Sequence, residues 1–253
     1  MDDYRDDTYG ERIAGVYDDW YDEYEEATLS TLLELAQGGR ALELGIGTGR
    51  LALPLQQAGV QVEGIDASQA MIDRLRRKPG GDRIPVVTGS FGDLAVEGEY
   101  TLIYVLVNTF YGLLTQEEQL RCFRNVAQHL NPQGSFVIEA FVPDLARFIR
   151  GQTVRVADMS EDEVQLDVSR HDPVTQQVMA QHVVLTEKRI RLYPVKLRYA
   201  WPSELDLMAR LAGLRLRHRW GDWRKGAFLA GSTVHISVYE HDPEPGVLPE
   251  EEH

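Results

Sequence analysis

Glu43-Leu44-Gly45-Ile46-Gly47-Thr48-Gly49-Arg50 follows directly on Ala41 and Leu42, so a short apolar run ends in three glycines at alternate positions. Glycine accepts positive φ and lets another group approach the backbone closely. A strand over 41–46, a tight turn and a helix over 51–58 ended by Gly59 is therefore expected. The same alternation continues outward. A second strand covers 60–65, and Asp66-Ala67-Ser68 leads into a helix carrying Met71, Ile72 and Leu75. Strands follow over 84–88 and 100–107, the latter almost continuously apolar, as in a strand buried on both faces. Thr115 with Glu118 is a capping-box signature for a helix bearing Leu120, Phe123, Val126 and Leu130. Asn131-Pro132-Gln133-Gly134 reads as a turn before a fifth strand over 135–142. Repeated strand–helix alternation predicts an α/β fold with a doubly wound, mostly parallel sheet.

The flanking segments differ in texture. Residues 1–39 are expected to form a helical cover, with Ile13, Tyr17, Trp20, Tyr21 and Tyr24 on one helix face. The sheet core spans 40–150 and resumes over 201–241, with a helix from Ser203 and strands over 214–219 and 232–239. Between them, 151–200 alternates apolar and polar residues without helical patterning and predicts an antiparallel β insertion that turns at His171-Asp172-Pro173-Val174. Residues 242–253 form an acidic, Pro-containing tail expected to be disordered.

The 253 residues carry a formal charge of −14, which argues against a nucleic-acid partner and against docking on anionic membranes. A single cysteine, Cys122, excludes an intramolecular disulfide, and its helical context makes it a small buried apolar residue. No apolar run approaches the roughly 18–20 residues that span a bilayer, and the acidic start of the chain does not read as a signal peptide. A cytoplasmic protein is expected. Neither H-E-x-x-H nor paired cysteines occur, so no metal is expected.

Two ligands suit the glycine loop. Gly47-Thr48-Gly49-Arg50-Leu51-Ala52 satisfies the G-x-G-x-x-A dinucleotide pattern, with Asp66 at about the distance of a ribose-binding acid. Glu43 separates the two, since a carboxylate there repels a pyrophosphate and attracts an α-ammonium group. With the Glu43–Gly49 run, the strand-end Asp66 and the 131–134 turn, the chain resembles the class I S-adenosylmethionine-dependent methyltransferases over roughly 40–142 and 200–240. The resemblance implies a Rossmann-like seven-stranded sheet with its last strand antiparallel, and S-adenosylmethionine as cofactor, released as S-adenosylhomocysteine. It implies that Glu43 steers the methionine amino group and that Gly45, Gly47 and Gly49 pack on the cofactor. Asp66 then holds the ribose, and Ala67 and Met71 border the adenine. Many relatives place an acid after the third strand. Here Ser90 stands in that place, with Phe91 beside it to cover the ring.

The end of the fourth strand faces the reacting centre of such sheets. Asn108-Thr109-Phe110-Tyr111 is similar to the N-P-P-Y motif of amino methyltransferases without its prolines, and closer to the Asn-Ser-Phe run of glycine N-methyltransferase-like enzymes. Asn108 is the substrate-facing candidate, against a turn-capping role. Tyr17, with Tyr21, is the candidate from the cover, touching the cofactor or the reaction, against plain aromatic packing. His171 and His182 in the insertion are candidate bases, while His129 at a helix end is structural. Arg170, Arg189, Arg191 and Arg198 make a solvated face or a clamp for a substrate anion. Trp201, Trp220 and Trp223 are candidates for one aromatic pocket. The layout is similar to that of sugar N-methyltransferases. The expected function is methyl transfer to a small molecule, with nitrogen ahead of oxygen. Cofactor binding without transfer and nicotinamide-dependent oxidoreduction are the alternatives. The insertion is expected to be a lid, a homodimer interface, or both.

Overall fold

In the computed structural model, which describes residues 4–21 and 23–243, the glycine loop sits at the centre of the main sheet. Strands β1 (Arg40–Leu44), β2 (Gln61–Asp66), β3 (Val86–Thr88), β4 (Tyr100–Val105) and β5 (Leu130–Phe141) run parallel. An insertion of β6 (Gln152–Met159), β7 (Glu163–Asp172), β8 (Gln177–Thr186) and β9 (Ile190–Arg198) follows, and then β10 (Leu214–Trp220) and β11 (Val234–His241) return to the sheet. The order is β10-β11-β5-β4-β1-β2-β3, seven strands, with β11 antiparallel to both of its neighbours. Chain order reverses between β1 and β4, so a crevice opens beyond their carboxyl ends, where ligands of such sheets bind.

Helices α1 (Thr8–Ile13), α2 (Tyr17–Tyr21), α3 (Glu26–Ala36), α4 (Ala52–Gln57), α5 (Gln69–Arg77), α6 (Gln116–His129) and α7 (Pro202–Leu211) cover the sheet. β4 is buried on both sides, as its apolar run requires: Ile103 and Val105 join one core cluster, and Leu102 and Tyr104 the other. The capping box of α6 forms as its residues predict. Thr115 Oγ1 accepts the Glu118 N–H at 3.1 Å, and Glu118 Oε2 accepts the Thr115 N–H at 2.9 Å. Cys122 is fully buried, which pushes its thiol pKa up and leaves it inert.

Two local expectations are corrected. The cover is not one continuous helix face, because the chain breaks at residues 14–16 between α1 and α2. Ile13 is fully buried against α5 and the insertion, while Tyr24 is 41% exposed. Each short helix is held by its own side-chain contacts, and no single apolar stripe runs through all of them. The 131–134 segment is also not a free turn. It is the irregular start of β5, with a register shift against β4 between Tyr100 and Leu102. Asn131 accepts the Gln133 N–H at 3.2 Å and donates to Thr101 Oγ1 at 2.9 Å, so a local turn contact is absorbed into the strand. The expected tail lies, from residue 244 on, outside the described residues.

The insertion is a four-stranded antiparallel sheet, β6-β7-β8-β9. Arg155, Asp167, His182 and Tyr193 form one cross-strand row facing the cover. The next row, Val156, Leu166, Val183 and Leu192, points the other way. On that outer face Val154, Val156, Met159, Ile190 and Leu192 are 50–70% exposed. At the base of the sheet, buried Arg198 pairs with Glu204 of α7 at 2.6 Å and with Gln119 of α6 at 2.6 Å. This ties the insertion to the core, since breaking a buried pair leaves a charge uncompensated. Arg198 is therefore committed to the scaffold. Arg170, on the outer face, is exposed, so the four arginines do not form one clamp.

Candidate active site

Gly45, Gly47 and Gly49 all have positive φ, at +74°, +56° and +79°. A Cβ on Gly45 would lie 2.5 Å from Thr109 Cγ2, and one on Gly49 would lie 2.3 Å from Leu75 Cδ1. The end of β4 and helix α5 thus press directly on the loop backbone. At Gly47 the nearest atom to such a Cβ is 4.0 Å away, so this glycine faces open space. Its N–H donates to Asp66 Oδ2 at 2.7 Å, which fixes the loop to the end of β2.

Glu43 is buried on β1, and Tyr104 from β4 donates to its Oε2 at 3.0 Å. It forms no ion pair among the described residues. Burial pushes its pKa up to about 8, against partial relief from the Tyr104 hydrogen bond and the Arg50 charge. Asp66 is also raised by burial, against the N–H groups of Ser68 and Gly47, which donate to its two oxygens. Two carboxylates, both short of compensation, therefore flank the open glycine.

The cover is fastened to this loop by acids. Asp18 accepts from Thr48 Oγ1 at 2.5 Å and from Lys78 Nζ at 2.8 Å. Burial raises the Asp18 carboxyl, but these contacts outweigh it and lower its pKa. Glu11 accepts from Ser68 Oγ at 2.9 Å and from the Ala70 N–H at 3.0 Å. Sequence reasoning counts these two acids only as charge. Tyr17 lies within the fields of Arg50, Glu43 and Asp66, and burial pushes its phenol up to about 12. Its ring is 5.0 Å from that of Tyr21, whose hydroxyl shares a hydrogen bond with Tyr9. Sequence reasoning misses Tyr9 as well, although the spacing of Tyr9, Ile13, Tyr17 and Tyr21 is the available signal.

Of the other expected residues, Ala67 is half-buried after β2. Met71 is 4% exposed and packs with Ile13, Val184 and Tyr193 under the cover. Phe91 is half-buried, with its ring edge 4.0 Å from the point a Cβ on Gly45 would occupy. Ser90 accepts the Gly92 N–H at 3.4 Å. Asn108 is anchored to the neighbouring strand. Its side-chain carbonyl accepts the Phe141 N–H at 2.7 Å, and its backbone is left-handed at φ +66°. Asparagine tolerates this left-handed conformation better than most residues. The preceding Val107 is also left-handed, at φ +51°, which is strained for a β-branched residue. Glu139 holds both, with Oε2 accepting the Val107 N–H at 3.0 Å and its carbonyl accepting the Asn108 N–H at 3.1 Å. Its Oε1 accepts Trp223 Nε1–H at 3.1 Å. The only signal for Glu139 is an acid within an apolar strand.

The histidines divide by surroundings. His129 Nδ1 meets the Gly98 carbonyl at 2.9 Å. His171 stacks on Phe148 and meets the Tyr199 hydroxyl at 2.9 Å. Burial lowers His235 to about 4, so it is neutral. His182 Nδ1 lies 2.5 Å from Asp167 Oδ1. The three tryptophans do not share one pocket: Trp223 is buried beside Glu139, Trp220 stacks with His218, and Trp201 is 41% exposed beside Tyr199.

Residues 41–134 match the family model described as a methyltransferase domain. The CcbJ methyltransferase from Streptomyces caelestis is 40% identical, with 94% of this chain and 99% of that chain covered and a TM-score of 0.88. The cypemycin N-terminal methyltransferase of a Streptomyces species is 28% identical over 80% of this chain and 83% of its own. S-adenosylmethionine-bound CalS10 from Micromonospora echinaspora, an amino pentose methyltransferase, shares the fold at 21% identity, 88% and 96% coverage and a TM-score of 0.65. The dinucleotide reading of residues 47–52 therefore falls, and the chain belongs to the S-adenosylmethionine-dependent methyltransferases.

Proposed function

We propose that the chain methylates a nitrogen of a small-molecule amine. The unpaired, buried carboxylate of Glu43 carries the cofactor assignment. Such a group is costly unless a cation meets it, and the methionine ammonium is that cation. Asp66 uses one lone pair on each oxygen for a backbone N–H and keeps the others for the ribose hydroxyls. Gly47 gives the close backbone approach, with Gly45 and Gly49 packed behind it. Phe91, Ser90, Ala67 and Met71 border the adenine, and Tyr17 closes the site from above. When bound, S-adenosylmethionine supplies an electrophilic sulfonium methyl. The chain then has to place a neutral nitrogen in line with it, and positioning of this kind accounts for much of the acceleration. Asn108 and Glu139 set the backbone at the end of β4 that faces the acceptor. Nitrogen over oxygen is supported by the name of the cypemycin N-terminal methyltransferase. Val154, Val156, Met159, Ile190 and Leu192 leave one face of the insertion apolar and exposed, a feature that marks interaction surfaces, and we assign it to a second copy of this chain.

The test is mass analysis of products from a panel of amines and matched alcohols with S-adenosylmethionine. Methyl gain on the amines alone is expected, and equal or preferred methylation of the alcohols refutes the nitrogen reading.

A further inference from the structure

The turn after β4 touches the glycine loop itself. Thr109 sets its Cγ2 2.5 Å from the point a Cβ on Gly45 would occupy, so no element stands between this turn and the cofactor site. Asn108 immediately precedes Thr109, and Val107 before it is 41% exposed. All three lie beyond the carboxyl end of β4, on the crevice where ligands of such sheets bind.

The backbone and side-chain oxygen of Asn108 are spent inside the fold. Its N–H donates to the Glu139 carbonyl at 3.1 Å, and its carbonyl accepts the Tyr111 N–H at 2.9 Å. Its Oδ1 accepts the Phe141 N–H at 2.7 Å. That bond also fixes which way the amide faces, since a backbone N–H can meet only its oxygen end. The oxygen lies against β5, and Nδ2 is the end left for a ligand. Nδ2 has no hydrogen bond among the described residues. The buried side-chain polar atoms without a partner there are Ser135 Oγ, Gln181 Oε1 and His235 Nε2, so Nδ2 of the half-buried Asn108 opens to solvent. Behind the turn, Glu139 also accepts the Val107 N–H at 3.0 Å, and the Tyr111 hydroxyl donates to the Ala200 carbonyl at 2.9 Å. The chain thus presents an amide donor already oriented on the crevice.

A donor in that place does not suit the reacting nitrogen in either of its forms. An ammonium has no lone pair to accept the bond, and the lone pair of a neutral amine has to stay clear to attack the methyl carbon. The complement of Nδ2 is an oxygen lone pair elsewhere on the acceptor. We propose that Asn108 determines acceptor specificity, with Nδ2 donating to a carbonyl, hydroxyl or ether oxygen carried beside the amine that is methylated. This rests on the nitrogen-methylation reading above. Because the amide is held beforehand, little freedom is lost when the oxygen arrives. An acceptor without that oxygen leaves Nδ2 unpaired when it covers the site.

Two pairs of amines matched in shape test this with the full chain and S-adenosylmethionine. Methoxyethylamine differs from butylamine by an oxygen in place of a methylene, and glycine dimethylamide differs from 2,3-dimethylbutylamine chiefly by its carbonyl. None of the four oxygen or hydrocarbon groups compared donates a hydrogen bond. With kcat/KM expressed per neutral amine, the oxygen-bearing member of at least one pair should be preferred about tenfold, the scale of one donor left unpaired. Preference within the amide pair assigns a carbonyl, and within the ether pair a hydroxyl or ether oxygen. Asn108→Asp keeps an oxygen for the Phe141 N–H and the tolerance of left-handed backbone, and replaces the donor by a second acceptor. It should bring the ratio within the preferred pair to about one. Equal values within both pairs for the wild type, a measurement that needs no variant, overturn the proposal while the nitrogen reading stands. A preference that survives Asn108→Asp overturns the assignment to Asn108. Methylation of none of the four amines overturns the proposal and the nitrogen reading together.

Discussion

Glu43 should make cofactor binding depend on pH in a way that its own burial dictates. With its pKa at about 8 in the unliganded chain, the carboxyl is protonated roughly ten to one at pH 7. An ammonium partner requires the ionised form. Binding at pH 7 therefore includes a deprotonation that costs about 1.4 kcal/mol, close to tenfold in apparent affinity. The apparent Kd for S-adenosylmethionine should fall about tenfold per pH unit between pH 6 and 7.5. Near pH 8 the ligand's own α-amino group, with a pKa of about 8, begins to lose its proton, so affinity should peak there and then decline. Calorimetry at pH 7 in two buffers of different ionisation enthalpy should register close to one proton released per cofactor bound, and Glu43→Gln should abolish both the release and the slope. The sign for stability is opposite. The folded pKa lies above the ordinary 4.5, so the folded chain binds more protons between these values and the unliganded protein loses stability as pH rises through them. Glu43→Gln should therefore raise the Tm of the unliganded protein at pH 8 while weakening cofactor binding. A pH-independent Kd between 6 and 7.5 with no proton release refutes the reasoning.

Three further outcomes are expected. Asp66→Ala should weaken S-adenosylmethionine binding by about 1.5–3 kcal/mol, the worth of hydrogen bonds to a charged group, and unchanged affinity in calorimetry removes Asp66 from the ribose. Asp18→Ala should release α2 from Thr48 and Lys78 and speed S-adenosylhomocysteine dissociation in stopped-flow, with an unchanged rate showing that these contacts do not hold the cover. Leu192→Glu, on the outer face of the insertion, should convert a dimer to a monomer in light scattering, and a wild-type monomer at micromolar concentration refutes the assigned pairing.

The core is legible in the sequence because each of its signals is local. Alternating glycines and the Thr115–Glu118 box act within a few residues of the backbone they shape, and Asp66 is marked by its place at the end of β2 although it fastens Gly47 from 19 residues away. The insertion is legible as alternation, but not in polarity. Alternation does not say which face is covered: Ile190 and Leu192 point outward, because packing against the cover is decided by Tyr193, Val184 and His182 on the other side of the strands. Asp18, Glu11 and Glu139 are illegible for a related reason. Each finds its partner at a sequence separation of 30 or more, and nothing in the neighbouring residues marks an acid as fastened. Asn108 stands out by its position, and its backbone angle and its bond to Phe141 then explain why asparagine stands there.

Helix α2 is fastened on two sides at once: Asp18 ties it to the glycine loop through Thr48 and to the end of α5 through Lys78, and Trp20 sets its ring edge-on to His182 and Tyr193 of the insertion. A helix of five residues is too short to stand by its own backbone bonds, so these two neighbours order it together. A change in the seating of the insertion is therefore felt at the glycine loop through a single turn of helix.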